Sequence, residues 1–110
     1  MGLIVLVYGC MGVLLVGLSL PMMYDKIPPN GFYGFRTPRT LSDANIWYSA
    51  NRVAGRNLAV TGVTVSTTAL VVFSMHKSIP PRTAAFMLLT VSMVSLFGAV
   101  LHSFLALRRM

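Results

Sequence analysis

Catalysis draws on acids, bases, nucleophiles or metal ligands, and this sequence offers few of them. Its only carboxylates are Asp25 and Asp43, so paired-acid hydrolysis and carboxylate-rich metal sites have almost nothing to draw on. The two histidines, His76 and His102, fall at opposite ends of segments that read as antiparallel membrane spans. In one monomer they cannot share a metal or a catalytic site. Cys10 is the single cysteine; it has no base evident beside it and no partner for an internal disulfide. The eight methionines are scattered and read as packing residues rather than copper ligands. The expectation is a non-catalytic protein with no metal and no cofactor. Cations dominate what remains: nine Lys and Arg against two acids give a net charge of +7, which suits anionic phospholipid or another polyanion.

The most distinctive side chains cluster between Tyr24 and Gly55. Pro28-Pro29-Asn30-Gly31 is a turn sequence. In the following Phe32-Tyr33-Gly34-Phe35-Arg36-Thr37-Pro38-Arg39-Thr40, aromatics alternate with glycine and basic residues. Pro38 disfavours helix at Thr37, so this stretch should be extended or turned. Thr40-x-x-Asp43 resembles a capping box with Asp in place of Glu, and Ser42 is an alternative N-cap. Either would start a short interfacial helix through Trp47, Tyr48, Asn51 and Arg52. Trp47 and Asn51, four apart, share a face of that helix. Trp and Tyr suit the headgroup layer, where the loop arginines would reach phosphates. Basic residues interleaved with aromatics also line nucleic-acid surfaces, but a short loop pressed on a membrane is a poor platform, and no nucleic acid is expected as a partner.

The elements that position this loop follow from composition. At 110 residues the chain is one unit, too short for two ordinary domains. It is 55% hydrophobic and 10% charged, with a mean hydropathy of +0.74; soluble proteins carry roughly 25% charged residues. A soluble chain of this length could not hide so much apolar surface. Soluble sheet sandwiches, Rossmann folds and disulfide miniproteins are excluded, and an all-α membrane protein with three transmembrane helices is expected. The spans fall at about 3–23, 57–75 and 83–107. The first covers about 31 Å as a helix, enough for a hydrocarbon core of ~30 Å. It lacks the basic start and small-x-small cleavage site of a signal peptide, so it reads as an uncleaved span. Each span must be helical, because lipid offers no partner to open backbone groups. His76-Lys77-Ser78-Ile79-Pro80-Pro81-Arg82 is a turn, which makes spans two and three an antiparallel hairpin.

Within the spans, Thr61, Thr64 and Thr68 share a face, Ser95, Ala99 and Ser103 form a small-xxx-small series, and Gly9 and Gly12 lie close together. Such residues let helices approach and exchange hydrogen bonds in lipid. A polar permeation path would call for an intramembrane carboxylate, and none is present; His102 reads as an interfacial or packing residue. Lys26, Arg36, Arg39, Arg52, Arg56, Arg108 and Arg109 fall on one side of the membrane, against Lys77 and Arg82 on the other. The positive-inside rule then puts the long loop and C-terminus in the cytoplasm and the N-terminus outside.

Pro29-Asn30-x-x-Tyr33-Gly34-Phe35-Arg36-Thr37-Pro38-x-Thr40-Leu41-Ser42, followed by Trp47, Asn51 and Gly55, resembles the signature of the SdpI family of bacterial membrane proteins, named for immunity to a secreted killing-factor peptide. Phe35 stands where the family often has an aliphatic residue. The named immunity protein resembles two joined membrane halves, of which this chain, as a single SdpI-like domain over 1–110, has the motif-bearing one. The resemblance implies a bacterial cell-membrane protein that protects against or senses a membrane-active peptide toxin, with immunity that can be joined to sequestration of a cytoplasmic repressor. Asn30, Gly34, Arg36, Thr37, Arg39, Trp47, Asn51 and Arg52 are the residues expected to contact lipid or a partner. Arg36 is expected at the membrane surface, pairing with backbone carbonyls, lipid phosphate or another protein. The alternative is an accessory structural subunit of a larger membrane complex, since three spans leave small-residue faces for a partner or a homo-oligomer.

Overall fold

The computed structural model describes residues 2–110. Four helices follow one another: α1 (Gly2–Met23), α2 (Pro38–Ser42), α3 (Ala44–Ser74) and α4 (Pro81–Arg108). No strand is present among the described residues. α1, α3 and α4 are long and apolar enough to cross a membrane, so the expected three-span, all-helical architecture holds. α3 and α4 form the expected hairpin, in which the N–H groups of Ser78 and Ile79 donate to the carbonyl of Met75 at 2.9 and 3.1 Å. α4 begins at Pro81, where a missing N–H leaves no bond unmade. α1 ends through Asp25 in the left-handed region (φ 57°), with the N–H of Lys26 donating to the Pro21 carbonyl at 2.9 Å, a Schellman-type termination.

The second span differs from expectation. The stretch through Trp47, Tyr48, Asn51 and Arg52 is not a separate interfacial helix; it is the beginning of α3, a continuous helix of 31 residues, about 46 Å long. No proline interrupts Ala44–Leu58, and the change from polar to apolar residues near Asn57 leaves the backbone unbroken. The short helix of the loop lies earlier, at Pro38–Ser42. The caps move with it. Thr37, held extended before Pro38, caps α2 and shares reciprocal side-chain bonds with Thr40, while Asp43 caps α3 by accepting from the Asn45 N–H at 2.8 Å. Neither Thr40 nor Ser42 acts as the N-cap.

α3 is the central helix, with α1 and α4 packed mainly against it. The α1–α3 seam is built from small residues seven apart. Gly12 and Ser19 of α1 meet Gly62 and Gly55 of α3, and all four are buried. A Cβ on Gly62 would lie 2.5 Å from the Gly12 carbonyl oxygen, and one on Gly55 would lie 2.9 Å from that of Ser19. Beyond the Gly12–Gly62 crossing, on the side away from Gly55, the Ser66 hydroxyl donates to the Gly9 carbonyl at 3.2 Å. In lipid, this closeness of backbones is what van der Waals attraction between helices requires. Of the pair singled out in the sequence, Gly12 is at the crossing, whereas Gly9 has open space beyond its Cα. On the other side of α3, Ala84, Leu88, Ser92, Ala99, Ser103 and Leu107 are the buried positions of α4, and the Thr61 hydroxyl reaches the Ser95 carbonyl at 3.3 Å. Thr64 and Thr68 instead bond back to carbonyls of their own helix.

Candidate functional site

The loop between α1 and α3 folds back over the first turns of α3. It begins with an Asn30-centred turn: Oδ1 accepts from the N–H groups of Phe32 and Tyr33 at 2.8 and 2.7 Å, and Nδ2 donates to the Pro28 carbonyl at 2.8 Å. The Tyr33 hydroxyl donates to the Leu18 carbonyl on α1, and burial pushes the phenol above its ordinary pKa. Gly34 then turns with φ +108°, a conformation that disfavours side chains. The space forbids one too, since a Cβ would lie 2.7 Å from Asn51 Oδ1 and 3.1 Å from Trp47 Cζ2.

This close approach brings the backbone onto Asn51. The Phe35 N–H donates to Asn51 Oδ1 at 2.7 Å, and Asn51 Nδ2 donates to the Trp47 carbonyl at 2.9 Å. One turn earlier, Trp47 Nε1 donates to the Ile27 carbonyl at 2.9 Å. Asn51 and Trp47 thus hold two points of the loop eight residues apart. Both are enclosed, at 2% and 0% exposure. Thr40, also fully buried, closes the far end by accepting from the Thr37 N–H at 2.7 Å and directing its own hydroxyl to the carbonyls of Phe35 and Thr37. Thr40→Val keeps the shape but leaves the Thr37 N–H without its acceptor and the Phe35 carbonyl with only a long contact from Asn51 Nδ2. It is expected to lower stability by about 1–3 kcal/mol, measurable as a drop in the thermal midpoint in detergent.

The motif residues therefore divide into two sets. Asn30, Gly34, Thr37, Trp47 and Asn51 shape or hold the loop. Trp47 and Asn51, expected to contact lipid or a partner, are covered by the folded loop. Arg36, Arg39 and Arg52 are exposed. Arg36 Nη1 donates to the Gly31 carbonyl, and neither Trp47 nor Asn51 bonds to it. Arg52 pairs with Asp25 at 3.4 Å, both side chains about half exposed. Such a pair contributes little, so Arg52→Gln is expected to change stability by less than about 1 kcal/mol in the same melting experiment.

The loop reaches α4 as well. The rings of Phe35 and Phe104 lie 5.1 Å apart at an interplanar angle of 55°, an edge-tilted pairing. Beneath them is a pocket of about 300 Å³ lined by residues including Leu18, Met22, Phe35, Leu58 and Val100. On the same seam, sequence reasoning missed a polar contact: Asn57 Nδ2 lies 2.9 Å from His102 Nδ1 and 3.0 Å from Ser103 Oγ. The small-xxx-small series pointed to Ser103, but the pairing of Asn57 with His102 depends on helix register. Among the described residues, no three His, Cys, Asp or Glu side chains gather as a metal site.

A family model described as the SdpI/YfhL protein family matches residues 26–106 of the chain. This range takes in the whole clamped loop from just before Ile27, together with α3 and nearly all of α4. Neither the curated proteins nor the solved structures compared with the chain gave a match.

Proposed function

Because the chain belongs to the SdpI/YfhL protein family and is a multi-pass membrane protein, we propose that it acts without catalysis, protecting a bacterial cell against a membrane-active peptide or sensing one. The observation that carries this reading is the clamped motif loop. Five motif residues hold one backbone path across α3, and the result is a fixed wall over an apolar pocket, with Arg36 and Arg39 exposed in the same loop. A rigid, lipid-level surface of this kind suits recognition of an amphipathic chain better than it suits chemistry. The loop and C-terminal arginines face the cytoplasm in this reading, following the excess of Lys and Arg on that side, and they form the surface on which a cytoplasmic repressor would dock.

The test is expression in a sensitive bacterial host challenged with a panel of membrane-active peptides. Protection against at least one member is expected, and Gly34→Val, which cannot form the loop, should abolish it at equal membrane abundance. No protection across the panel, with stoichiometric recovery of larger membrane subunits in mild detergent, would favour the accessory-subunit reading instead.

A further inference from the structure

The pocket under the loop lies between the ends of α1 and α4, both membrane-spanning by length and composition. Its other walls are the loop itself and the early turns of α3, and no charged residue lines it. Along α4, Val100, Phe104 and Arg108 are four residues apart and share one stripe. Val100 walls the pocket, Phe104 meets Phe35 at its end, and Arg108 comes one turn later, at the end of α4. Arg36 follows Phe35 directly in the loop and is exposed. Along α4 an apolar slot and an aromatic contact are thus followed by Arg108, while Arg36, whose Nη1 donates to the Gly31 carbonyl, adjoins Phe35 in the loop. Acyl chain, interface and phosphate succeed one another in the same order in a phospholipid.

The charge balance points the same way. Asp25 faces Arg52 and Asp43 caps α3, so neither Arg36 nor Arg108 has a side-chain carboxylate partner among the described residues. Guanidinium groups bind phosphate oxygens in paired hydrogen bonds. We propose that this pocket holds one acyl chain of an anionic phospholipid whose phosphate is bound by Arg36 and Arg108. Phe32, 95% exposed at the tip of the same loop, then inserts beside the bound lipid. The site stands independently of any role in peptide immunity.

Trp47 is the only tryptophan and lies against Gly34, which also lines the pocket, so its fluorescence reports on occupancy. The protein is reconstituted in bilayers containing phosphatidylglycerol or phosphatidylcholine with identical dibrominated acyl chains. Phosphatidylglycerol is expected to reach half-maximal quenching at a roughly fivefold lower mole fraction. The double substitution Arg36→Gln with Arg108→Gln should remove that preference while helicity by circular dichroism is unchanged. Val100→Phe, at a half-exposed position on the wall, should weaken quenching by both lipids. Added glycerol phosphate should leave quenching unaltered, separating a lipid from a free phosphate. Equal quenching by the two lipids in the unmodified protein would overturn the proposal, as would a preference that survives loss of both arginines. Relief of quenching by an added apolar peptide, with no dependence on headgroup, would assign the pocket to a peptide and overturn it equally.

Discussion

Gly62→Val is expected to destabilise the helix bundle by about 3 kcal/mol, near the upper end for overpacking. The nearest obstacle is a backbone atom, which cannot rotate aside: a Cβ at this position would lie 2.5 Å from the Gly12 carbonyl oxygen, with the Val16 Cγ2 at 2.8 Å and the Val16 nitrogen at 3.1 Å. Relief requires α1 and α3 to move apart, and the Ser66–Gly9 and Ser19–Gly55 contacts along the same seam would loosen with them. Gly98→Val supplies the control. It makes the same chemical change in a membrane-spanning helix, but at a glycine whose added Cβ meets nothing within 4 Å. Thermal unfolding in detergent should show a large fall in midpoint for the first variant and little change for the second. Equal responses would mean that the α1–α3 crossing does not lie at Gly12 and Gly62.

Trp47→Ala is expected to have an effect at least as large, about 3–5 kcal/mol. The indole is fully enclosed, so its removal leaves a void beneath Gly34, and the Ile27 carbonyl loses its partner. Trp47→Phe divides the two contributions. It keeps most of the aromatic volume and gives up the hydrogen bond, so its loss should be about 1–3 kcal/mol. If the phenylalanine and alanine variants melted together, packing under the loop would contribute nothing, and the indole would act through its N–H alone.

The three spans, their hairpin and the motif loop were legible because each rests on local chemistry: unbroken apolar runs, paired prolines and a fixed spacing of residue types. Helix register was not. The chain has nine glycines, and nothing in their neighbours distinguishes Gly12 and Gly62, at the crossing, from Gly17 and Gly98, which have open space. The distinction arises only when two helices are laid side by side. The same holds for Asn57 and His102, far apart in sequence and adjacent across the α3–α4 seam. Trp47 misled for a different reason. Tryptophan near a membrane boundary generally sits among headgroups, but here Gly34 and Asn51 bring the loop down on top of it. A residue type that prefers an interface became a core residue because one glycine let the backbone approach.

The start of α3 teaches a related point. Hydropathy changes near Asn57, whereas backbone propensity governs where the helix begins, at Ala44 behind the Asp43 cap. These boundaries lie more than three turns apart, and the intervening turns carry Trp47 and Asn51. Projection of α3 beyond the apolar region is therefore what gives the motif loop a rigid post to fold against.

Hydrogen exchange at the Phe35 amide, followed in detergent or bilayer by mass spectrometry of fragments spanning the loop, tests this arrangement most directly. The Phe35 N–H is held by Asn51 Oδ1 at 2.7 Å, so it should exchange slowly in the unmodified protein and in Arg36→Gln, and rapidly in Asn51→Leu, whose side chain offers no acceptor. Rapid exchange in the unmodified protein, or protection that survives Asn51→Leu, would contradict a loop clamped to α3 by its own motif.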